Sequence, residues 1–168
     1  EYLREFCDRE CRTPRIDEQR GIAAEQTRRI TAAAEGHEIV VADTSALMIA
    51  VYSDQVFGDT SLYDEALVAH ARCDLTLLTA LDLPWQADGL QRDGPQVREP
   101  VDAKVRAALA RAALECAVVF GHGPVRLANA LAAVERRRQP PAAEGPRWQW
   151  LCERCGGVMD ASTSTIPT

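Results

Sequence analysis

The 168-residue sequence lacks any long apolar run, which excludes several classes of protein. No uninterrupted hydrophobic stretch approaches the roughly 20 residues that a membrane-spanning helix needs. No basic start followed by an apolar stretch suggests a signal peptide. Basic residues are also in deficit, with 19 Lys and Arg against 25 Asp and Glu and a formal net charge of −6. Such a chain cannot neutralise many phosphates at once, so we expect no nucleic-acid partner and no membrane partner.

We do not expect the six cysteines to form a disulfide framework. Apolar residues make up 46% of the sequence, which is enough to build a core without covalent staples. We therefore expect reduced thiols and a cytoplasmic location. Cys152 and Cys155 have the spacing of half a zinc site. Because no second pair follows them, we expect an unpaired Cys pair rather than a bound metal.

Helical and β-branched segments alternate along the chain, which predicts an α/β domain. The expected strands are three short apolar runs at residues 39–43, 75–79 and 116–120, typical of buried parallel strands. Helices are expected before, between and after them, over residues 1–12, 17–35, 61–72 and 101–115 and in a last segment ending near 138. A further helix is expected in the segment that Ser45 can cap and that Gly58–Asp59 ends. We assign residues 1–138 to this domain and residues 139–168 to a linker and a Cys-containing tail.

Polar residues follow the predicted strands, where ligands bind in parallel α/β sheets. We expect Asp43, Asp82 and Gly121 to lie at one edge of the sheet. A carboxylate at Asp43 can hold Mg²⁺ or take a proton from a substrate hydroxyl. With Thr44 it can equally cap the next helix, and the sequence leaves both interpretations open.

The polar stretch at residues 82–100 is long for a connector, and loops of that length are usually lids or binding loops. Trp85 can stack on a flat ring while Arg92 and Arg98 meet phosphate. A surface loop anchored by a buried Trp is the alternative. His37 and His70 show no sequence partner and are expected at the surface.

Several weak motifs recur in an order that resembles the NadR-type P-loop kinases, whose founding activity is ATP-dependent phosphorylation of ribosylnicotinamide. The resemblance covers residues 1–134. The matching strings are E-Y-L-R-E at 1–5, I-A-A-E-Q at 22–26, D-T at 43–44, V-Y-S at 51–53, F-G at 57–58, C-D-L at 73–75 and P-W-Q-A-D-G-L-Q-R at 84–92.

The resemblance implies a three-layer, P-loop NTPase-like parallel sheet with helices on both faces, and a kinase that uses ATP and Mg²⁺. It implies a small nucleoside-like acceptor as the partner. Asp43 would serve metal or base, Arg126 would lie beside the adenine, and the remaining site residues divide into two groups. The acceptor site would contain Glu1, Tyr2, Arg4, Tyr52, Trp85 and Asp88. The lid over the phosphates would contain Arg92 and Arg98.

The family's first strand and its phosphate-binding loop have no counterpart here, since no G-x-x-x-x-G-K-[ST] string occurs and Lys104 is the single lysine. In the family that strand is central in the sheet, so we expect a gap in the core of this chain and an incomplete enzyme. A non-catalytic nucleotide-binding module is one alternative.

A Mg²⁺-dependent ribonuclease of the PIN type is the other alternative. V-A-D-T-S-A-L at residues 41–47 resembles the opening strand of those enzymes, and Glu65 and Asp102 would supply further carboxylates. Two helices precede this strand here, however, and the residues at 84–92 stay unexplained.

We predict that the purified 168-residue chain does not turn over ATP. Positioning and electrostatic stabilisation supply nearly all of phosphoryl-transfer catalysis, and the loop that provides both is absent. The measurement is ATP-dependent phosphorylation across a panel of nucleosides. Phosphorylation of any of them by this chain alone contradicts the prediction.

Overall fold

The computed structural model describes residues 2–86, 94–139, 150–151 and 158–159. Six helices dominate it: α1 (Tyr2–Glu10), α2 (Gln19–Gly36), α3 (Ala46–Phe57), α4 (Tyr63–His70), α5 (Arg98–Arg111) and α6 (Gly123–Arg138). Short 3₁₀ turns at Ile16–Glu18 and Pro95–Val97 lead into α2 and α5. The strands are β1 (Leu77–Thr79), β2 (Ala117–Val119), β3 (Trp150–Leu151) and β4 (Val158–Met159). None of these helices is long and apolar enough to cross a membrane.

Helix α3 is the centre of the core. Ile49, Ala50 and Val51 are completely buried, and α3 packs against α2, α4 and α5. Apolar residues occur around most of its circumference, as in a helix that is packed between other helices. Gly58 ends it with a φ of 69°, a left-handed conformation that glycine adopts without steric cost. The predicted end of this helix is therefore confirmed.

A polar cluster of Asp54, Tyr63 and Lys104, the single lysine of the chain, lies beside the last turn of α3. The Lys104 ammonium lies 2.6 Å from a carboxylate oxygen of Asp54. The Tyr63 hydroxyl donates a hydrogen bond of 2.9 Å to the same carboxylate. Burial and the Asp54 carboxylate together raise the pKa of Tyr63 to about 12. Lys104 thus joins α5 to α3, a structural role in place of the phosphate-binding one that a P-loop lysine has.

Two of the three predicted parallel strands are confirmed. β1 and β2 pair in parallel, with Leu77 opposite Ala117 and Thr79 opposite Val119. Leu78 packs against the helical core and Val119 is buried. β3 and β4 form a separate antiparallel pair.

The predicted strand at residues 39–43 is wrong for this structure. These residues have no strand hydrogen bonding and are exposed, with Val41 88% and Ile39 54% accessible. A β-branched run becomes a strand only when a neighbour completes its ladder of hydrogen bonds. Within the described parts of the chain, β1 and β2 pair only with each other and leave this run without a partner.

Helix α5 ends in a motif that predicts a stabilising substitution. Leu114 N–H donates to the Leu109 carbonyl at 2.9 Å, and Ala113 N–H donates to the Ala110 carbonyl at 3.1 Å. This is the Schellman pattern, in which the residue at Ala113 must be left-handed, and its φ is indeed 52°. Glycine is the usual residue there because an L side chain is strained in that conformation.

We predict that Ala113→Gly raises the free energy of unfolding by about 1 kcal/mol, by relieving that strain. Chemical denaturation is the measurement. Ala112→Gly is the matched control, because Ala112 has a φ of −91° and gains nothing from glycine. A loss of stability in both variants contradicts the predicted strain.

Candidate functional site

A charged junction lies where β1 and β2 end. Asp82, three residues after β1, accepts a hydrogen bond from the Gly121 backbone N–H and pairs with the Arg126 guanidinium. These contacts hold the pKa of Asp82 below its usual range, with the Gly121 hydrogen bond as the largest cause. The predicted meeting of Asp82 and Gly121 at one edge is confirmed.

Arg126 fastens the two strand ends to α6. Its Nε donates to the Gly121 carbonyl at 2.9 Å, and one of its terminal nitrogens donates to the Ala80 carbonyl at 3.1 Å. Gly121 has a φ of 89°, and a Cβ there would lie 2.9 Å from a methyl group of Val125. Glycine is therefore required on both steric and conformational grounds, and the turn can stay close to the first turn of α6.

The segment that carries Asp43 is held from two sides. The Gln26 side-chain amide donates a hydrogen bond of 2.7 Å to the Thr44 carbonyl. The Ser45 hydroxyl lies 3.1 Å from Nδ1 of His70. Ser45 has the backbone conformation of a helix cap before α3, but its side chain makes no cap bond and faces His70 instead. Asp43 itself is exposed.

His70 is partly buried between two hydroxyls, so the prediction that it lies at the surface without a partner is wrong. Its Nε2 lies 2.9 Å from the Thr76 hydroxyl, while Nδ1 contacts Ser45. Thr76 precedes β1, whereas Asp82 follows it. The residues just after Asp43 are therefore tied to the amino-terminal end of β1, and the expected common edge holds only for Asp82 and Gly121.

The described residues of the predicted acceptor site lie on two helices and in one loop. Tyr2 begins α1, and the Arg29 guanidinium lies 4.6 Å from the centre of its ring. Arg4 is exposed on the same helix, and Tyr52 is 37% exposed on α3. Trp85 is partly exposed in the loop after β1.

The remaining site predictions concern the long loop and the first residue. Arg98 is the first residue of α5 and is partly exposed. Glu1, Asp88 and Arg92 lie outside the described residues. The structure therefore brings Asp82, Gly121 and Arg126 into contact, and leaves the predicted lid undescribed at Arg92.

No group of three or more His, Cys, Asp or Glu side chains in the described regions is arranged to hold a metal ion. The carboxylates suggested for a PIN-type site are engaged elsewhere. Glu65 pairs with Arg20, and Asp102 accepts a hydrogen bond of 2.6 Å from Arg106. Among the described side chains, no group able to hold a metal ion includes the exposed Asp43.

Residues 1–126 match the family model described as an AAA domain. Because the match spans well over half of the chain, the protein belongs to this family of P-loop NTPase-like, nucleotide-binding domains. Neither the curated proteins nor the solved structures contain a significant match. The Asp82–Gly121–Arg126 junction therefore lies within a domain of a nucleotide-binding family.

Sequence reasoning missed Gln26 and the partners of His70. Gln26 stands in the I-A-A-E-Q string, but nothing in that string reveals that its amide reaches Thr44, 18 residues away. Ser45 and Thr76 lie 25 and 6 residues from His70, and no periodic pattern connects them. The one available signal was the presence of two glutamines, Gln19 and Gln26, on the face of α2 where Ile22 is also buried.

The environment of His70 predicts a pH dependence of stability. Burial lowers the pKa of His70 in the folded protein. The unfolded chain therefore binds the proton more readily, so the contribution of His70 is complete above the usual histidine range and is lost as the pH falls through it towards the folded value. Cys73, Asp74, Glu115 and Arg137 line the cavity of about 380 Å³ beside the ring.

We predict that His70→Gln flattens the fall in unfolding free energy between pH 8 and pH 5, relative to the unsubstituted chain. Urea denaturation across this range measures it. His37→Gln is the control, since His37 is exposed and contacts only the Ala33 carbonyl. Equal slopes in the two variants contradict the assignment to His70.

Proposed function

We propose that this chain forms most of the acceptor and adenine side of an ATP-dependent nucleoside kinase related to the ribosylnicotinamide kinases. The observation that carries this is the Asp82–Gly121–Arg126 junction at the carboxyl ends of two parallel strands, in a chain of a P-loop family. Ligands of such folds bind at that edge of the sheet. ATP and Mg²⁺ are the expected cofactors, and the cytoplasm is the expected location.

The exposed run at residues 39–43 supports an incomplete sheet. Ile39, Val40 and Val41 are all exposed, although their side chains favour a buried strand. β1 is likewise unpaired on one side in the described structure. A further strand with its phosphate-binding loop, supplied from outside these 168 residues, would pair with both and complete a three-layer sheet.

In the completed kinase we assign Asp43 to Mg²⁺ or to the acceptor proton. This assignment requires the run at residues 39–43 to pair as a strand, because here the residues after Asp43 are tied to the amino-terminal end of β1, away from the Asp82–Gly121–Arg126 junction. Tyr52 and Trp85 would stack on the acceptor, and Arg98 with Arg92 would close over the phosphates. Tyr2 lies under Arg29, and the Arg29 guanidinium pairs with Glu5 at 2.8 Å. That charged cluster would form a wall of the acceptor pocket beside Tyr2 and Arg4. The resemblance also assigns Glu1 and Asp88, which lie outside the described residues, to acceptor binding.

A non-catalytic nucleotide-binding module is the second candidate, favoured by the absence of the G-x-x-x-x-G-K-[ST] string. The two candidates differ in what an added P-loop does. A chain joined to the strand and P-loop of a related kinase gains acceptor phosphorylation if it is a kinase, and gains only nucleotide affinity if it is a module.

We predict that Asp43→Asn abolishes turnover in such a P-loop-bearing form and leaves the fold intact. The amide keeps the shape of the side chain and removes its charge, and loss of an acid or base alone costs about 10²–10⁴-fold in rate. Trp85→Ala should instead raise the acceptor's KM more than it lowers kcat, because stacking exists before the transition state.

Steady-state kinetics with thermal denaturation of each variant is the measurement. Asp59→Asn is a matched control on another carboxylate, which accepts a backbone hydrogen bond from Ser61 at 2.9 Å. If Asp43→Asn keeps near-normal turnover, the catalytic assignment of Asp43 is wrong.

A further inference from the structure

The loop between the exposed run and α3 is fastened by side chains that the function does not otherwise use. Gln26 lies on α2 and is only 4% exposed, and both polar atoms of its side-chain amide are hydrogen-bonded. Its nitrogen donates to the Thr44 carbonyl at 2.7 Å, and its oxygen accepts from the Tyr2 backbone N–H at 3.1 Å. One buried side chain thus joins the start of α1 to the residue after Asp43.

His70 holds the next residue from the opposite side. Its Nδ1 contacts the Ser45 hydroxyl, and its Nε2 contacts the Thr76 hydroxyl before β1. A neutral imidazole has one donor and one acceptor nitrogen, and a hydroxyl can serve either, so both bonds form in either tautomer. Thr44 and Ser45 are therefore clamped between α2 and α4.

We propose that Gln26 and His70 are positioning residues that set where the Asp43 carboxylate lies, and that Gln26 couples this position to the Tyr2 end of the acceptor pocket. The inference rests on the proposed function for the role of Asp43 and Tyr2, but the clamp itself is independent of it. Asp43 is exposed, so its placement depends on the two residues that follow it. A shift of about 1 Å in a reacting group can cost about 10²-fold in rate, which gives such a clamp its catalytic value.

The clamp has a direct readout in backbone amides. The Ser45 carbonyl accepts hydrogen bonds from the Met48 N–H at 3.0 Å and the Ile49 N–H at 3.4 Å. If Ser45 is released, these amides lose their acceptor and exchange faster with solvent. The exchange rate of the Tyr2 amide reports separately on its hydrogen bond to the Gln26 side-chain oxygen.

The test is residue-resolved hydrogen exchange on the 168-residue chain. Gln26→Met keeps the length of the side chain and removes both hydrogen bonds, so the Met48 and Tyr2 amides should each exchange about tenfold faster. Gln26→Glu, measured at a pH at which its carboxylate is ionised, keeps an acceptor for Tyr2 and loses the donor to Thr44. It should therefore accelerate Met48 alone.

Two further variants complete the test. Ser45→Ala removes the contact with His70 outside the core, so it should accelerate Met48 and not Tyr2, even if the Gln26 variants fold poorly. Gln19→Met is the matched control, because Gln19 is also buried on α2 but contacts the Pro14 carbonyl at 3.5 Å. The inference is overturned if Gln26→Glu and Ser45→Ala leave Met48 unchanged, or if every variant, the control included, accelerates all amides equally.

Steady-state kinetics of the P-loop-bearing form tests the proposed role of Asp43 independently of the clamp. With Asp43 as a catalytic residue, Gln26→Glu should lower kcat about tenfold or more and change KM little. Exchange that responds as predicted while kcat is unaffected supports the clamp and contradicts the proposed role of Asp43.

Discussion

Burial of helix α3 is the constraint on which the other elements depend. Three consecutive residues, Ile49, Ala50 and Val51, have no exposed surface, and α2, α4 and α5 each cover one side of the helix. Burying a side chain of the size of Ile49 or Val51 contributes about 1.5–3 kcal/mol. The two ends of α3 then fix polar segments in space. Its start lies against Gln26 and His70, and its last turns carry the Asp54 carboxylate that holds Lys104 and Tyr63.

The parallel sheet is the less self-sufficient part of the structure. β1 and β2 have three residues each, and isolated pairs of strands are marginally stable in water. The Asp82–Gly121–Arg126 junction compensates by joining both strand ends to α6 through side-chain and backbone hydrogen bonds. The same contacts place the charged side chains of Asp82 and Arg126 at the carboxyl ends of the strands, which is the edge where P-loop domains bind nucleotide. Structural reinforcement and the candidate site are therefore the same group of residues.

The helices were predictable because periodicity and glycine positions are local properties of the chain. Gly58, for example, ends α3 where the sequence indicates. The strand at residues 39–43 was not predictable in the same way, because its composition cannot show whether a neighbouring strand is present. Asp82 and Gly121 could be placed together from the general rule for parallel sheets. The contacts of Gln26 and His70 could not, since they join residues far apart in sequence through single hydrogen bonds.

Paramagnetic relaxation by Mn²⁺·ATP tests the central claim most directly, which is that nucleotide binds at the carboxyl ends of β1 and β2. In two-dimensional NMR spectra of the P-loop-bearing form, we predict selective broadening of the Asp82 and Gly121 amides, with the exposed His37 amide unaffected. A groove between α2 and α4, rimmed by Arg20, Arg28 and Arg72, offers positive charge that can also attract a polyphosphate. Broadening centred on that groove, or spread evenly over the surface, contradicts the account.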